Sequence, residues 1–478
     1  MDMIGMGVAL AAIVVASVFV ILRNFNSWRY EPKLAPGQKL PPGDMGWPVI
    51  GNMGDWFKHL KGPNPDSFIG EYVKKWGQTG LYKALLFTQP TVLATSPEAI
   101  KFALTNEEHF YPGWPKATNK LMGHKSFTSI PFHEHKRLRA LTARTINGYE
   151  MLNRYIPRIE HSALLTLNKW AGEDQITFLT ELKQFTFNII VDIMMSYKPG
   201  NADIEKMGAP FTHFNLGVRA LAINIPGFAY YKALKARKVI AGLIQKGIDD
   251  RRQSKFTTED VLQSMMDSED ETGRKLDDEE LVDLTLMYLN AGHESSAHTI
   301  MWVTIFLNAH PEVYAKCKKE QEWIRDTKKG EGITLSDFRR MKYLHNVIDE
   351  TMRIVSFSLT IFRKCIKEVE YQGFFIPKGW TVQAFLRHPH HDAEVWPEPL
   401  KFDPDRWIDL IPKPGSFVPF GMGVRLCPGN DLAKLEVAIF VHHLTLKYRI
   451  ERLNPNAKII ILPHTRPIDN CPVRVNHL

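Results

Sequence analysis

A mainly α fold with minor β follows from three features of the 478-residue sequence. Most segments beyond Pro97 place apolar residues at helical spacing, notably Tyr155 to Tyr197 and Tyr231 to Arg252. One stretch, from Asp277 to about Asn308, is apolar nearly all round, as in a helix buried through the middle of a protein. Strand-like runs are short: Leu81 to Thr95 holds apolar runs broken at Gln89-Pro90, the pattern of a small hairpin, and Pro97-Glu98 then opens an amphipathic helical stretch.

In chain order, the first element is an uncharged run from Met3 to Leu22. About twenty residues at roughly 1.5 Å rise suffice to cross a hydrocarbon core of roughly 30 Å. Residues 1–22 are therefore expected to form a transmembrane anchor. A cleaved signal peptide would carry Lys or Arg ahead of the apolar run, where this chain has Asp2. Arg23, Arg29, Lys33 and Lys39 follow the run, which by the positive-inside rule keeps the remainder on the cytosolic side. Residues 23–48 contain Pro32, Pro36 and Pro41-Pro42-Gly43-Asp44, expected as a stiff, extended hinge. No low-complexity linker or repeat follows, so residues 49–478 are expected to form one large domain.

Composition narrows the function. Sixty basic against 52 acidic residues give a formal charge of +8, which favours a lipid surface or an acidic protein. The basic residues are spread along the chain with no base-reading motif, which argues against nucleic acid. Cys317, Cys365, Cys427 and Cys471 are too few and scattered for a disulfide framework or paired zinc ligands, and a reducing compartment fits them best. Histidines group at His133 with His135, at His388, His390 and His391, and at His442-His443, with neither H-E-x-x-H nor zinc-finger spacing.

The long apolar helix opens on Asp277-Asp278-Glu279-Glu280, acids placed at its positive end. In its middle stands Ala291-Gly292-His293-Glu294-Ser295-Ser296, small and polar where a structural core helix would carry Leu and Ile. Such a local conflict marks a functional site.

A second constellation is Phe420-Gly421-Met422-Gly423-Val424-Arg425-Leu426-Cys427-Pro428-Gly429. Gly423 and Gly429 allow a tight turn close to the sulfur, and Pro428 stiffens it. Helical period from Asn430 to Tyr448 puts Cys427 near a helix N-terminus, whose dipole favours an anionic sulfur. The bland alternative is a buried, inert cysteine in a glycine-rich loop.

This loop fits F-x-x-G-x-R-x-C-x-G and resembles the haem-binding loop of the cytochromes P-450. The resemblance implies a single large cytochrome P-450 fold after an N-terminal transmembrane helix. It also implies a haem b (iron protoporphyrin IX) cofactor with Cys427 as the proximal ligand to the iron. Phe420, Gly423 and Gly429 would then line the cofactor, and Arg425 would pair with a propionate. An axial thiolate favours O–O cleavage.

Companion motifs extend the likeness. Glu350 and Arg353 form an E-x-x-R on one helix face, by itself a common solvated pair. With Arg406 of Phe402-Asp403-Pro404-Asp405-Arg406-Trp407 they match the family's buried network, expected to serve folding and haem retention. Arg363 stands where the family often places another propionate partner. The central-helix sequence resembles the oxygen-activation motif A-G-x-D/E-T, which implies that Gly292 leaves room for dioxygen, Glu294 supplies a relay acid and the Ser295 hydroxyl donates to dioxygen. Serine replaces the usual threonine and is freer at its first torsion. Back-bonding to the helix is the alternative use of such hydroxyls at Ser296 and Thr299. His135 and Arg139 stand in for the family's W-x-x-x-R, both able to donate to a propionate. Lys136 and Arg137 either face an acidic electron donor or form a solvated helix face.

Within the family, Pro41 to Pro48, Pro112-Gly113-Trp114-Pro115-Lys116, the run Gly217 to Tyr230, the serine-bearing Ala291 to Ser296 motif and Pro463 to Pro467 resemble plant ent-kaurenoic acid oxidases of gibberellin synthesis. The implied activity is oxidation of an unactivated C–H bond of a polycyclic terpenoid. The implied partners are O2, NADPH-cytochrome P-450 reductase and the endoplasmic reticulum membrane, with the catalytic domain facing the cytosol. The likeness thins at Lys364-Cys365-Ile366 and from Gln383 to His391, leaving open a triterpenoid substrate. A haem-binding protein without turnover and a peroxide-rearranging isomerase are further readings, against which the retained Glu294 beside a hydroxyl argues. Met287, Leu359 and Ile361 suit an apolar substrate wall or ordinary core. A diterpene acid needs a cation for its carboxylate. His464 or Arg466 is the candidate, the alternative being that Arg466 braces its turn.

Overall fold

A computed structural model of the chain describes residues 3–62, 64–198, 200–253, 258–328, 330–462 and 464–478, with side chains from residue 10 onward. Asp2 and Pro463, both used above, lie outside the described residues. Two compact units make up the chain, Met1–Gly113 with Ser358–Pro397 and Pro412–Gly423, and Trp114–Phe357 with Glu398–Ile411 and Val424–Leu478. Each unit has an apolar core of its own.

The first unit is organised by a five-stranded sheet in the order Leu81–Leu86, Gln89–Ala94, Thr381–Phe385, Thr360–Cys365, Phe110–Pro112. Only the pairing of Gln89–Ala94 with Thr381–Phe385 is parallel. The hairpin is present, but its turn falls at Phe87-Thr88 and not at Gln89-Pro90, since Pro90 pairs with Leu85 inside the ladder. Phe87 and Thr88 both take positive φ (51° and 59°), as a two-residue turn between right-twisted strands requires. The helix Pro97–Thr105 follows, its N-terminus capped by Ser96 Oγ accepting from the Ala99 N–H. Leu85, Val92, Ile100, Phe110 and Val382 are buried in this unit's core.

The N-terminal helix runs Met3–Tyr30 and so continues through Arg23 and Arg29. The first part of the expected hinge is therefore helical, because neither glycine nor proline interrupts the chain between Val8 and Tyr30 and the first breaker is Pro32. Leu10–Tyr30 is long and apolar enough to cross a membrane, and only 6% of it is buried in the protein.

The second unit is mainly helical. The central helix, Asp278–Ala309, begins with a capping box: Glu280 N–H donates to Asp277 Oδ1 (2.8 Å) and Asp277 N–H to Glu280 Oε2 (2.9 Å). Arg137 and Arg274 neutralise the buried Glu280 carboxylate. The helices Phe178–Met195 and Asn430–Lys447 pack on the central one. The expected helical reach from Tyr155 to Tyr197 splits into Tyr149–Ala171 and Phe178–Met195, parted by Gly172 and the two-residue strand Ile176–Thr177.

Candidate active site

Cys427 stands three residues before the helix Asn430–Lys447, after a single 3-10 turn at Gly423–Arg425. Cys317, Cys365 and Cys471 are buried, whereas Cys427 retains accessible surface. Burial pushes the Cys427 thiol up, while the Gly429 N–H on its sulfur and the Arg139 charge pull it down. Gly423 has φ 74°, a region costly for other residues, and a Cβ there would stand 3.1 Å from the Leu104 carbonyl oxygen. Gly429 departs from expectation: its φ of −104° suits any residue and nothing lies within 4 Å of a Cβ. Its contribution to the thiol is its N–H.

His135 and Arg139 lie one turn apart on the helix Phe132–Asn147. His135 is buried with its ring 5.0 Å from Phe127. Arg139 is half-buried, its charge felt by Cys427 and by Tyr288 of the central helix. Arg425 is half-buried. Arg137 does not face outward to a partner as one reading had it: Glu134 (2.8 Å), Asp270 (3.5 Å) and Glu280 occupy it, and only Lys136 is exposed.

One stripe of the central helix is less covered than the residues around it. Ala291 is exposed, Ser295 and Thr299 are half-buried and Met287 is nearly covered, a spacing of four that defines one face. Two sets of contacts bear on the motif. The place of a Cβ at Gly292 is filled by Ile190 of the helix Phe178–Met195, whose Cδ1 would stand 2.8 Å away, so this glycine admits a neighbouring side chain. The Ser295 hydroxyl donates to the Ala291 carbonyl (3.0 Å), as Ser296 does to Gly292 and Thr299 to Ser295. Back-bonding therefore extends to the serine expected to be free.

Glu294 points to a cluster that the motif alone does not reveal. Lys183 Nζ donates to its Oε1 (2.9 Å), Arg219 Nη2 lies 2.5 Å from Oε2 and His464 Nε2 lies 3.7 Å from Oε2. Burial alone would raise the carboxyl, but the Arg219 and Lys183 charges hold it well below the usual range. Glu294 is thus a clamped carboxylate in this arrangement. Burial, followed by the Arg219 charge, pushes His464 well below the usual imidazole range. Neutral at physiological pH and stacked on Phe357 at 4.0 Å, His464 does not supply the cation proposed for it. Arg466 does not either: its Nη1 donates to Asn470 Oδ1 (2.5 Å) and to the carbonyls of Pro467 (3.3 Å) and Ile468 (3.5 Å), bracing its own turn. Lys183 and Arg219 were missed because neither belongs to a motif. The available signal was that Arg219 is the sole charge between Gly217 and Tyr230.

Glu350, Arg353 and Arg406 come together. Arg353 donates from Nε (2.9 Å) and Nη2 (2.8 Å) to the two Glu350 oxygens, and Arg406 Nε donates to Oε1 (3.0 Å). Trp407 Nε1 (3.0 Å) and the Asp403 N–H (3.1 Å) complete the carboxylate's shell. Glu350 and Arg353 have no accessible side-chain surface. In the sheet unit, Arg363 is buried on the strand Thr360–Cys365, Leu359, Ile361 and Phe420 are half-buried, and Ile361 Cδ1 lies 3.4 Å from where a Gly421 Cβ would stand.

The sequence pattern of the Cytochrome P450 family matches residues 41–466. Ent-kaurenoic acid oxidase 1 of Arabidopsis thaliana is 47% identical over 466 residues, covering 96% of this chain and 95% of that protein. The 7,8-epoxymelianol synthase of Ailanthus altissima is 41% identical, covering 96% and 94%. A retinoic-acid-bound cyanobacterial CYP120A1 superposes with a TM-score of 0.84 at 26% identity, over 92% of this chain and 100% of that one.

Proposed function

Because the chain belongs to the cytochrome P450 family, and is therefore a haem-dependent monooxygenase, we propose that it oxidises ent-kaurenoic acid at an unactivated C–H bond, with Cys427 as the iron ligand. The helical unit suits such a cofactor: its one accessible cysteine carries the Gly429 N–H on the sulfur, the Arg139 charge nearby and Tyr288 of the central helix within electrostatic range. When bound, haem iron supplies the activation of dioxygen, with electrons from NADPH through a flavoprotein reductase. His135, Arg139 and Arg425 hold the propionates. Leu10–Tyr30 anchors the protein in the endoplasmic reticulum membrane, with the remainder in the cytosol.

The observation that carries the acid substrate is the pair of cations on one carboxylate. Lys183 and Arg219 both meet Glu294, leaving the cluster with a surplus positive charge in partly buried surroundings. A substrate carboxylate binding Arg219 would satisfy that charge, and would also release Glu294 from the nearer of its cations. Glu294 then regains the ability to take up and pass a proton, so that acid binding and proton delivery are linked.

The test is a titration of the Soret band with ent-kaurenoic acid, its methyl ester and a neutral triterpenoid. The acid is expected to give the strongest response, at least tenfold weaker in the ester and in Arg219→Ala. A response confined to the triterpenoid, the class suggested by the 41% identity to 7,8-epoxymelianol synthase, would reject the diterpene acid and leave the monooxygenase intact.

A further inference from the structure

Among the described side chains of the N-terminal helix, Asn26 alone is buried. Asn26 has no accessible surface, although Phe25 and Trp28 beside it are 37% and 66% exposed. Its Nδ2 donates to the carbonyls of Met45 (2.9 Å) and Trp47 (2.5 Å), and its Oδ1 accepts from the Val49 N–H (3.3 Å). Ion pairs flank it on both sides, Arg23 to Asp44 (2.8 Å) and Glu31 to Lys83 (2.8 Å). The end of the helix and the residue after it are therefore tied to residues 44–49 and to Lys83 at three points.

The loop that Asn26 holds is itself stiff. Trp47 and Gly51 exchange backbone hydrogen bonds (3.2 and 2.8 Å), and Val49, a β-branched residue, sits at φ 65°. A Cβ at Gly46 would stand 2.2 Å from the Gly51 carbonyl carbon. This strained loop presents Trp47, Val49 and Ile50 outward at 46%, 65% and 62% exposure. Contiguous apolar groups left exposed on a rigid tip mark an interaction surface.

The helix identifies what covers it. The Trp47 ring meets Phe19 edge-on with centroids 5.7 Å apart. Phe19 precedes Arg23, the first charge after the apolar run, by about one helical turn, or roughly 5 Å along the axis. A residue in ring contact with Phe19 must share its depth.

We infer that the Asn26 clamp makes the anchor helix and the Trp47–Gly51 loop one rigid element, and that the loop's apolar tip is immersed in lipid at the cytosolic edge of the bilayer. The inference rests on the membrane-anchor reading above. Trp47 takes the interfacial position that amphipathic rings favour, with Val49 and Ile50 beside it. The expected stiff, extended hinge is thereby replaced by a fixed mounting that sets the height and tilt of the sheet unit on the membrane.

The experiment reconstitutes the full-length protein into phosphatidylcholine vesicles with and without brominated acyl chains and reads tryptophan quenching. Trp47→Phe is expected to remove a distinct share of the bromine-quenched emission. Asn26→Ala, and Asn26→Asp, which keeps the volume but cannot donate to the carbonyls, are expected to lower the Trp47-dependent share at least twofold while leaving the carbon monoxide spectrum and carbonate resistance unchanged. Carbonate-resistant protein whose quenching is the same with and without Trp47 would overturn the immersion alone. Undiminished Trp47 quenching in both folded Asn26 variants would overturn the clamp. Release of the wild-type chain by carbonate would overturn the anchor reading itself and the inference with it.

Discussion

Arg219 Nη2 lies 2.5 Å from Glu294 Oε2, closing on a carboxylate whose other oxygen already accepts from Lys183. The acid of the central helix is therefore held ionised until a cation moves. Arg219, at the C-terminus of the helix Ala202–Val218 and partly exposed, has room to do so.

The sign of the resulting pH dependence follows from the depressed carboxyl. Its contribution to stability is complete above the unfolded value of 4.5 and is lost as pH falls towards the lower folded value. Glu294→Gln is expected to cost about 1–3 kcal/mol at neutral pH, a moderate figure because both cations reach solvent. In urea unfolding, the gap between wild type and Glu294→Gln should stay level from neutral pH down to about 4.5 and narrow below it. A gap that narrows already around neutrality would contradict a clamped carboxylate.

Glu350 satisfies two guanidinium groups with no accessible surface of its own. Glu350→Gln removes the charge but neither cation, and is expected to destabilise the fold by about 3–5 kcal/mol. Denaturant midpoints and haem retention should fall together. Loss of activity at unchanged stability would place Glu350 in the chemistry instead.

Gly292 is explained by Ile190. Gly292→Ala is expected to lower stability and turnover, and Ile190→Ala in the same chain, which removes both the Cδ1 at 2.8 Å and the Cγ1 at 2.9 Å, should restore part of both by clearing the Cβ. Rescue of stability without rescue of turnover would return Gly292 to a direct role with dioxygen.

Much of this was legible in the sequence because the relevant signals are local. The capping box at Asp277 and Glu280, the glycine at positive φ four residues before Cys427 and the three-residue spacing of Glu350 and Arg353 all lie within one or two turns of chain. The partners of Glu294 are long-range. Lys183 is 111 residues away, and nothing in its own neighbourhood distinguishes it from a surface lysine. The hairpin turn was misplaced because Pro90 is a strong breaker by composition, whereas Phe87 and Thr88 reach positive φ only under the constraint of the sheet. Asn26 was invisible for the same reason as Lys183: a single amide in an apolar helix declares itself only when the loop it holds is known.

Ser295 tests the coupling of electrons to product. With its hydroxyl back-bonded to Ala291 at rest, it must turn outward to assist oxygen chemistry. Ser295→Ala is expected to divert several-fold more reducing equivalents to hydrogen peroxide, and Ser295→Thr to match or improve on wild type. Unchanged product-to-NADPH ratios in Ser295→Ala would assign the hydroxyl to the helix alone.

The most direct measurement is the carbon monoxide difference spectrum of the reduced, haem-loaded full-length protein and its Cys427→Ser variant. Wild type should show the strongly red-shifted Soret band of thiolate ligation, and Cys427→Ser should lose it while Cys317→Ser and Cys365→Ser keep it. Persistence of the band in Cys427→Ser, or its loss in either of the buried-cysteine variants alone, would contradict Cys427 as the iron ligand.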